Sequence, residues 1–190
     1  MTRVCLVGEE GVNLQYELLS RETARDALAS YDLQEPFENS LAVETISLGS
    51  AVSLLNDLDW YLARFVEEAL VYEPSVSESE WLSRDLATAI RDDRIDPDET
   101  GRFLKVYGLE TRGSEREQDG TGDRDGSRAG EDGRSNTAEG ESYGAGSKTS
   151  QPRLVEPMLV ARTGKTIPEY DLRDVDETLL VRVTESEFGA

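Results

Sequence analysis

Ala51-Val-Ser-Leu-Leu-Asn-Asp-Leu-Asp-Trp60-Tyr-Leu-Ala-Arg-Phe-Val-Glu-Glu-Ala-Leu70-Val-Tyr72 is the longest apolar stretch of the chain. Leu54, Leu55, Leu58, Tyr61, Leu62, Phe65, Val66, Ala69 and Leu70 recur at a spacing near 3.6. That spacing predicts one long amphipathic helix over 51–72. Such a stripe must be buried against another layer, and the chain ends supply one. Val4-Cys5-Leu6-Val7 is continuously apolar and reads as a central strand. Gly8-Glu-Glu-Gly11 reads as a turn. Val12, Leu14, Tyr16 and Leu18 alternate with polar residues, as in a half-buried strand, so the first 18 residues predict a hairpin. Further strands are expected near Leu41–Leu48, over Val155–Arg162 and over Thr178–Thr184.

Three more helices are expected around the central one. Ser20 can cap a helix whose apolar face is Ala24, Ala27, Leu28 and Tyr31. Ser77-Glu-Ser-Glu80 has the spacing of a capping box, followed by Trp81, Leu82, Leu86, Ala89 and Ile90 on one face. Asp96-Pro97-Asp98-Glu99 offers a cap, a proline at the first helical position and an acidic first turn, and predicts a helix ending near Gly108. The expected fold is therefore α+β. It has a small mixed or antiparallel sheet of about five strands drawn from both chain ends, packed by about four central helices.

Residues 111–152 break the pattern. They hold 9 of the 16 glycines of the chain, and Tyr143 is their only aromatic residue. A segment without apolar periodicity cannot bury enough surface to offset its ordering entropy, so it reads as a disordered insertion. It carries 6 bases and 9 acids, which is not the composition of an acidic tail. The last 38 residues are too few to fold alone without a disulfide or a metal. Residues 1–110 and 153–190 are accordingly expected to form one discontinuous domain.

Composition points to an environment. The chain has 40 acids against 20 bases, a formal charge of −20, and no histidine; 17 of the bases are Arg and 3 are Lys. Self-repulsion on that scale is screened in molar salt, where the Debye length is about 3 Å. A halophilic, cytoplasmic protein fits this balance. Nucleic acid and anionic membranes are disfavoured, because phosphate contacts need clustered Lys and Arg, and no such cluster is present. No window approaches the roughly 20 apolar residues of a membrane helix. Cys5 excludes an internal disulfide and sits in an apolar run, so it reads as a small buried hydrophobe.

Several stretches resemble a family of haloarchaeal proteins of unknown function. They are Tyr16-Glu-Leu-Leu-Ser-Arg-Glu-Thr-Ala-Arg-Asp-Ala-Leu28, Glu80-Trp-Leu-Ser-Arg-Asp-Leu86, Phe103-Leu-Lys-Val-Tyr-Gly108 and Pro168-Glu-Tyr-Asp-Leu-Arg-Asp174. The resemblance spans roughly 1–110 and 153–185. It implies the same habitat and a single domain, and it assigns no functional residue.

The familiar motifs fail on their own chemistry. Gly164-Lys165-Thr166 follows a strand, but the glycine a P-loop needs five residues earlier is Leu159, and Pro168 prevents the helix. Asp96 to Gly101 has the start of an EF-hand loop, but the ninth and twelfth places hold Leu104 and Tyr107. Without histidine there is no Ser-His-Asp or Cys-His site and no imidazole zinc ligand. No cofactor, metal or catalytic residue is assigned.

One surface stands out. Asp57, Trp60, Arg64 and Glu68 share the face of the predicted long helix opposite its leucine stripe. Tryptophan with arginine is enriched at protein interfaces. The competing reading packs Trp60 against another element and pairs Arg64 with Glu68 at i, i+4. The leading functional expectation is protein binding through this face, with another protein as the partner and the oligomeric state left open. The alternative is a carboxylate-dependent enzyme, with or without Mg²⁺, acting on a small molecule. A nucleic-acid-associated role ranks third.

Overall fold

The computed structural model describes residues 1–111 and 151–189. The insertion expected at 111–152 lies almost entirely outside the described residues. In order, the elements are β1 (Thr2–Gly8), α1 (Leu14–Leu19), α2 (Glu22–Leu28), β2 (Ser40–Thr45), α3 (Leu48–Asp57), α4 (Asp59–Phe65), β3 (Val66–Tyr72) and β4 (Trp81–Ser83). They continue with α5 (Arg84–Arg91), β5 (Phe103–Glu110), β6 (Arg153–Ala161), β7 (Glu177–Arg182) and α6 (Glu185–Phe188). The fold is α+β, with one mixed sheet of seven strands in the order β2-β1-β3-β4-β7-β5-β6. Only β4 and β7 run parallel, with Trp81 opposite Val181; the other neighbours are antiparallel.

The decisive stretch is not one helix. Its helical pattern breaks at Leu58, which ends α3 and starts α4, and the chain turns extended at Val66 (φ −115°, ψ 119°). Val66–Tyr72 is then β3, hydrogen-bonded to β1 on one side and β4 on the other. Val71 joins the core beneath the helices and Leu70 joins the core on the opposite face of the sheet. A strand buried on both faces loses its period-2 signature, and here Ala69 and Leu70 also satisfied a helical period.

Four further expectations are corrected. Val12–Leu18 is no strand, because Asn13 caps α1 by accepting from the Tyr16 N–H at 2.9 Å. Leu14 and Leu18 are buried at i, i+4, while Tyr16, which the alternation placed inside, is 67% exposed. The neighbours of β1 are therefore β2 and β3, and there is no hairpin. Ser77 does accept from the Glu80 N–H at 3.1 Å, but the chain next forms β4. The helix starts at Arg84, capped by Ser83, whose Oγ accepts from Leu86. Pro97–Glu99 is a single 3-10 turn capped by Asp96, and Gly101 (φ +91°) ends it. Residues 103–110 then alternate as a strand: Leu104 and Val106 face one way, Tyr107 and Leu109 the other. Ser20 closes α1 rather than capping α2, although Ala24 and Leu28 are buried as expected.

The core has three parts. Val4, Leu6, Leu41, Val43, Val71 and Leu82 form the sheet side of the largest, and α1–α5 cover it with Leu14, Leu28, Leu55, Leu58, Leu62 and Leu86. Each fully buried leucine contributes roughly 1.5–3 kcal/mol relative to exposure. The opposite face gathers Cys5, Leu70, Trp81, Tyr107 and Val181. The third part, Leu104, Val106 and Val160, lies under Ile167 and Tyr170 of the connection between β6 and β7. Gly108 allows a close approach there. A Cβ at that position would lie 3.0 Å from the Tyr170 ring and from Val155.

The sheet is strongly coiled. Glu68 of β3 reaches Lys105 and Tyr107 of β5, although β4 and β7 separate their strands. The Glu38 N–H donates to the Pro152 carbonyl at 2.9 Å, joining the approaches to β2 and β6, which are the two edges of the sheet. Among the described residues no helix is long and apolar enough to cross a membrane.

Candidate functional site

Trp60 lies on α4, a two-turn helix whose inward side is fixed by buried Leu58 and Leu62. The indole turns outward and is 49% exposed. Its orientation is held by edge contacts with Tyr61 (centroids 5.0 Å apart) and Phe65 (6.3 Å). The Arg64 guanidinium lies 4.0 Å from the centre of the ring. A second guanidinium, that of Arg21 at the start of α2, is 5.7 Å from the same ring and 5.1 Å from Phe65. Arg21 also pairs with Glu17 at 3.0 Å. The result is an exposed aromatic ring with two cations against it, each cation–π contact worth about 0.5–1 kcal/mol at such exposure.

The four residues expected on this face separate. Trp60 and Arg64 stay together. Asp57 ends α3 and lines a shallow hollow beside Tyr31 and Ser53. Glu68 is on β3 and points to the interior, so the i, i+4 pair with Arg64 does not form. The break at Val66 explains this: four residues along a strand do not return to the same place as four along a helix. Arg21 was missed because the sequence puts it on a separate helix. No local signal brings it to Trp60.

Glu68 takes part in a second cluster. Its Oε2 accepts from the Tyr107 hydroxyl and from Lys105 Nζ at 2.7 Å. Burial, then the adjacent Glu68 carboxylate, pushes the Tyr107 phenol well above its ordinary value, so it remains a protonated donor. Cys5 lies in the same core, with its thiol pushed up to about 12 by burial, in keeping with a packing role.

A third cluster lies on the helix-covered side of the sheet, where β4, β5, β6 and β7 meet. The buried Glu80 carboxylate accepts from both Arg162 and Arg182, and Arg182 also donates to the Thr100 hydroxyl at 2.8 Å. This charged seam divides the helix-covered core from the one beneath Tyr170. Glu80, expected in a capping box, is thus a partner for two arginines far along the chain.

An open cleft of about 1280 Å³ lies between the two sheet edges. Glu67, Ser40, Arg153 and Glu156 are among the residues that line it, with Arg173 paired to Glu156 at 2.9 Å. Its floor includes Gly8, where a Cβ would approach the Asn39 amide to 2.5 Å. Among the described residues no three His, Cys, Asp or Glu side chains are grouped so as to hold a metal ion.

A protein family of unknown function, DUF5804, matches residues 2–109. The chain belongs to this family. No curated protein and no solved structure matches it. The DUF5804 match contains the whole Trp60–Arg64–Arg21 platform and the strands β1 to β5, apart from the last residue of β5. The two arginines of the charged seam and the strands β6 and β7 lie beyond it.

Proposed function

We propose that this protein acts by binding another protein through the platform formed by Trp60, Arg64 and Arg21. The observation that carries the reading is the half-exposed indole. It is held rigid by Tyr61 and Phe65 and flanked by two guanidiniums, while the core beneath α4 is filled by Leu58 and Leu62 without it. Exposed tryptophan and arginine on a pre-ordered surface have the composition of interface hot spots. Trp60→Ala should cost about 1–2 kcal/mol, the two cation–π contacts it removes, because a half-exposed ring leaves no sealed cavity, whereas a core aromatic costs about 3–5 kcal/mol. The same variant should lose the partner retained by the wild-type full chain on an affinity column in molar KCl. A large drop in melting temperature, or a partner retained equally by both chains, refutes the reading.

The working medium belongs to the same proposal. With 40 acids and 20 bases, the folded chain should gain melting temperature from dilute buffer to molar KCl as repulsion is screened. A flat or falling series of thermal melts would remove the halophilic setting.

One observation favours a second reading, an enzyme that uses carboxylates. The cleft between the sheet edges brings Glu67 and Glu156 together with Arg153 and Arg173. Saturable binding of a small molecule that Glu67→Gln abolishes, with folding intact, would favour it over protein binding.

A further inference from the structure

We infer that the segment received at Trp60 is acidic, with a carboxylate side chain next to an apolar one; this rests on the protein-binding reading above. The Arg64 guanidinium carbon lies over the indole, 4.0 Å from the ring centre. A guanidinium carries five N–H donors, and a cation–π contact does not itself supply a hydrogen-bond acceptor in the guanidinium plane. Arg64 has no hydrogen bond or ion pair to any described residue. The neighbouring cations do: Arg21 bonds Glu17 at 3.0 Å and Arg84 bonds Asp59 at 2.7 Å. In a chain with twice as many acids as bases, an exposed guanidinium with no internal carboxylate is available for one from outside. A planar fork accepts a carboxylate in two parallel hydrogen bonds, and the indole beside it offers an apolar surface for the adjoining side chain. The charge arrangement also selects. The chain as a whole is acidic, and a guanidinium with no internal carboxylate beside Trp60 gives an acidic segment a defined place to dock. A nucleic acid offers an anion as well, but it would bring an extended row of phosphates against a molecule of charge −20.

The test uses the full chain and two fluorescein-labelled octapeptides, Glu-Glu-Leu-Glu-Glu-Phe-Glu-Glu and its twin with every Glu replaced by Gln. Binding is read by anisotropy at the lowest KCl concentration that keeps the chain folded by circular dichroism. The acidic peptide should bind at least about tenfold more tightly than its twin, the scale of one charge-assisted bidentate pair. Arg64→Gln should abolish that preference while leaving the circular dichroism spectrum unchanged, and Arg64→Lys should restore only part of it. No saturable binding of the acidic peptide, equal binding of the twins, or a preference that survives Arg64→Gln overturns the inference. So does tighter binding of a ten-residue oligothymidylate, or a Trp60-dependent dimer in sedimentation, which would make a second copy the occupant. The two levels fail separately. If the column partner is lost with Trp60→Ala but kept with Arg64→Gln, the platform stands and the acidic partner falls. If Trp60→Ala keeps it, both fall.

Discussion

Residues 2–109 and 153–189 contribute to one sheet in opposite ways. The long piece brings five strands, nearly all the helical cover and the Trp60 platform. The short piece brings two strands and one four-residue helix. Yet the short piece bridges the sheet: β7 stands between β4 and β5, which do not otherwise touch as strands. It also supplies both guanidiniums of the seam, while the long piece supplies the single carboxylate, Glu80, that they share. The DUF5804 match stops at residue 109, so the boundary of sequence similarity and the continuity of the sheet do not coincide. Arg64 of the long piece faces outward, whereas Arg162 and Arg182 of the short piece face in, where they tie the two pieces together.

The most severe way to break this comparison is to remove the short piece. A chain ending at Gln151 should fail to fold, because β4 and β5 lose their common neighbour and Leu70, Trp81 and Tyr107 lose Val181. Circular dichroism and thermal melting read this directly. A cooperative melt of the shortened chain would make residues 1–110 a complete domain. Cleavage within 112–150 should be tolerated in contrast, and the two fragments should co-elute in high salt and part only in denaturant.

Next in size is the seam. Glu80→Gln leaves two largely buried guanidiniums facing a neutral amide, and should cost about 3–5 kcal/mol by chemical denaturation. A loss under 1 kcal/mol would mean that strand pairing alone secures β7. The smallest effect expected is at the cluster within the coil of the sheet. Tyr107→Phe removes one donor to Glu68 while Lys105 stays, and should cost about 1–2 kcal/mol. If Tyr107→Phe costs as much as Glu80→Gln, the contact across the coil holds the two pieces together as firmly as the seam does.

The fold class was legible in the sequence, and so were β1, β2, β6 and β7. Their apolar runs are short and are flanked by turn residues. The middle of the chain misled because its strands are buried on both sides. Val66–Tyr72 and Phe103–Glu110 lack polar residues at strict alternate places, and each follows a good helix signal: the Leu stripe of α3 in one case, Asp96-Pro97 in the other. Caps at Ser77 and Asp96 form the local hydrogen bonds their sequences promise, but the tertiary sheet determines what comes after them. At the candidate site, the association of Trp60 with Arg64 was legible because one helix carries both. Glu68 was misplaced by the same break at Val66, and Arg21, just after α1, arrives through a long-range packing of α1 against α4 that no spacing encodes.

The place of β7 also sets a timetable. Ser83 bonds Glu187 across 104 positions of sequence, and Trp81 waits almost as long for Val181. At roughly 5–20 residues per second, synthesis leaves β4 without its second neighbour for about 5–20 s after it is made. During that interval the nascent chain presents two unpaired strand margins, and pairings so distant in sequence form slowly even once available.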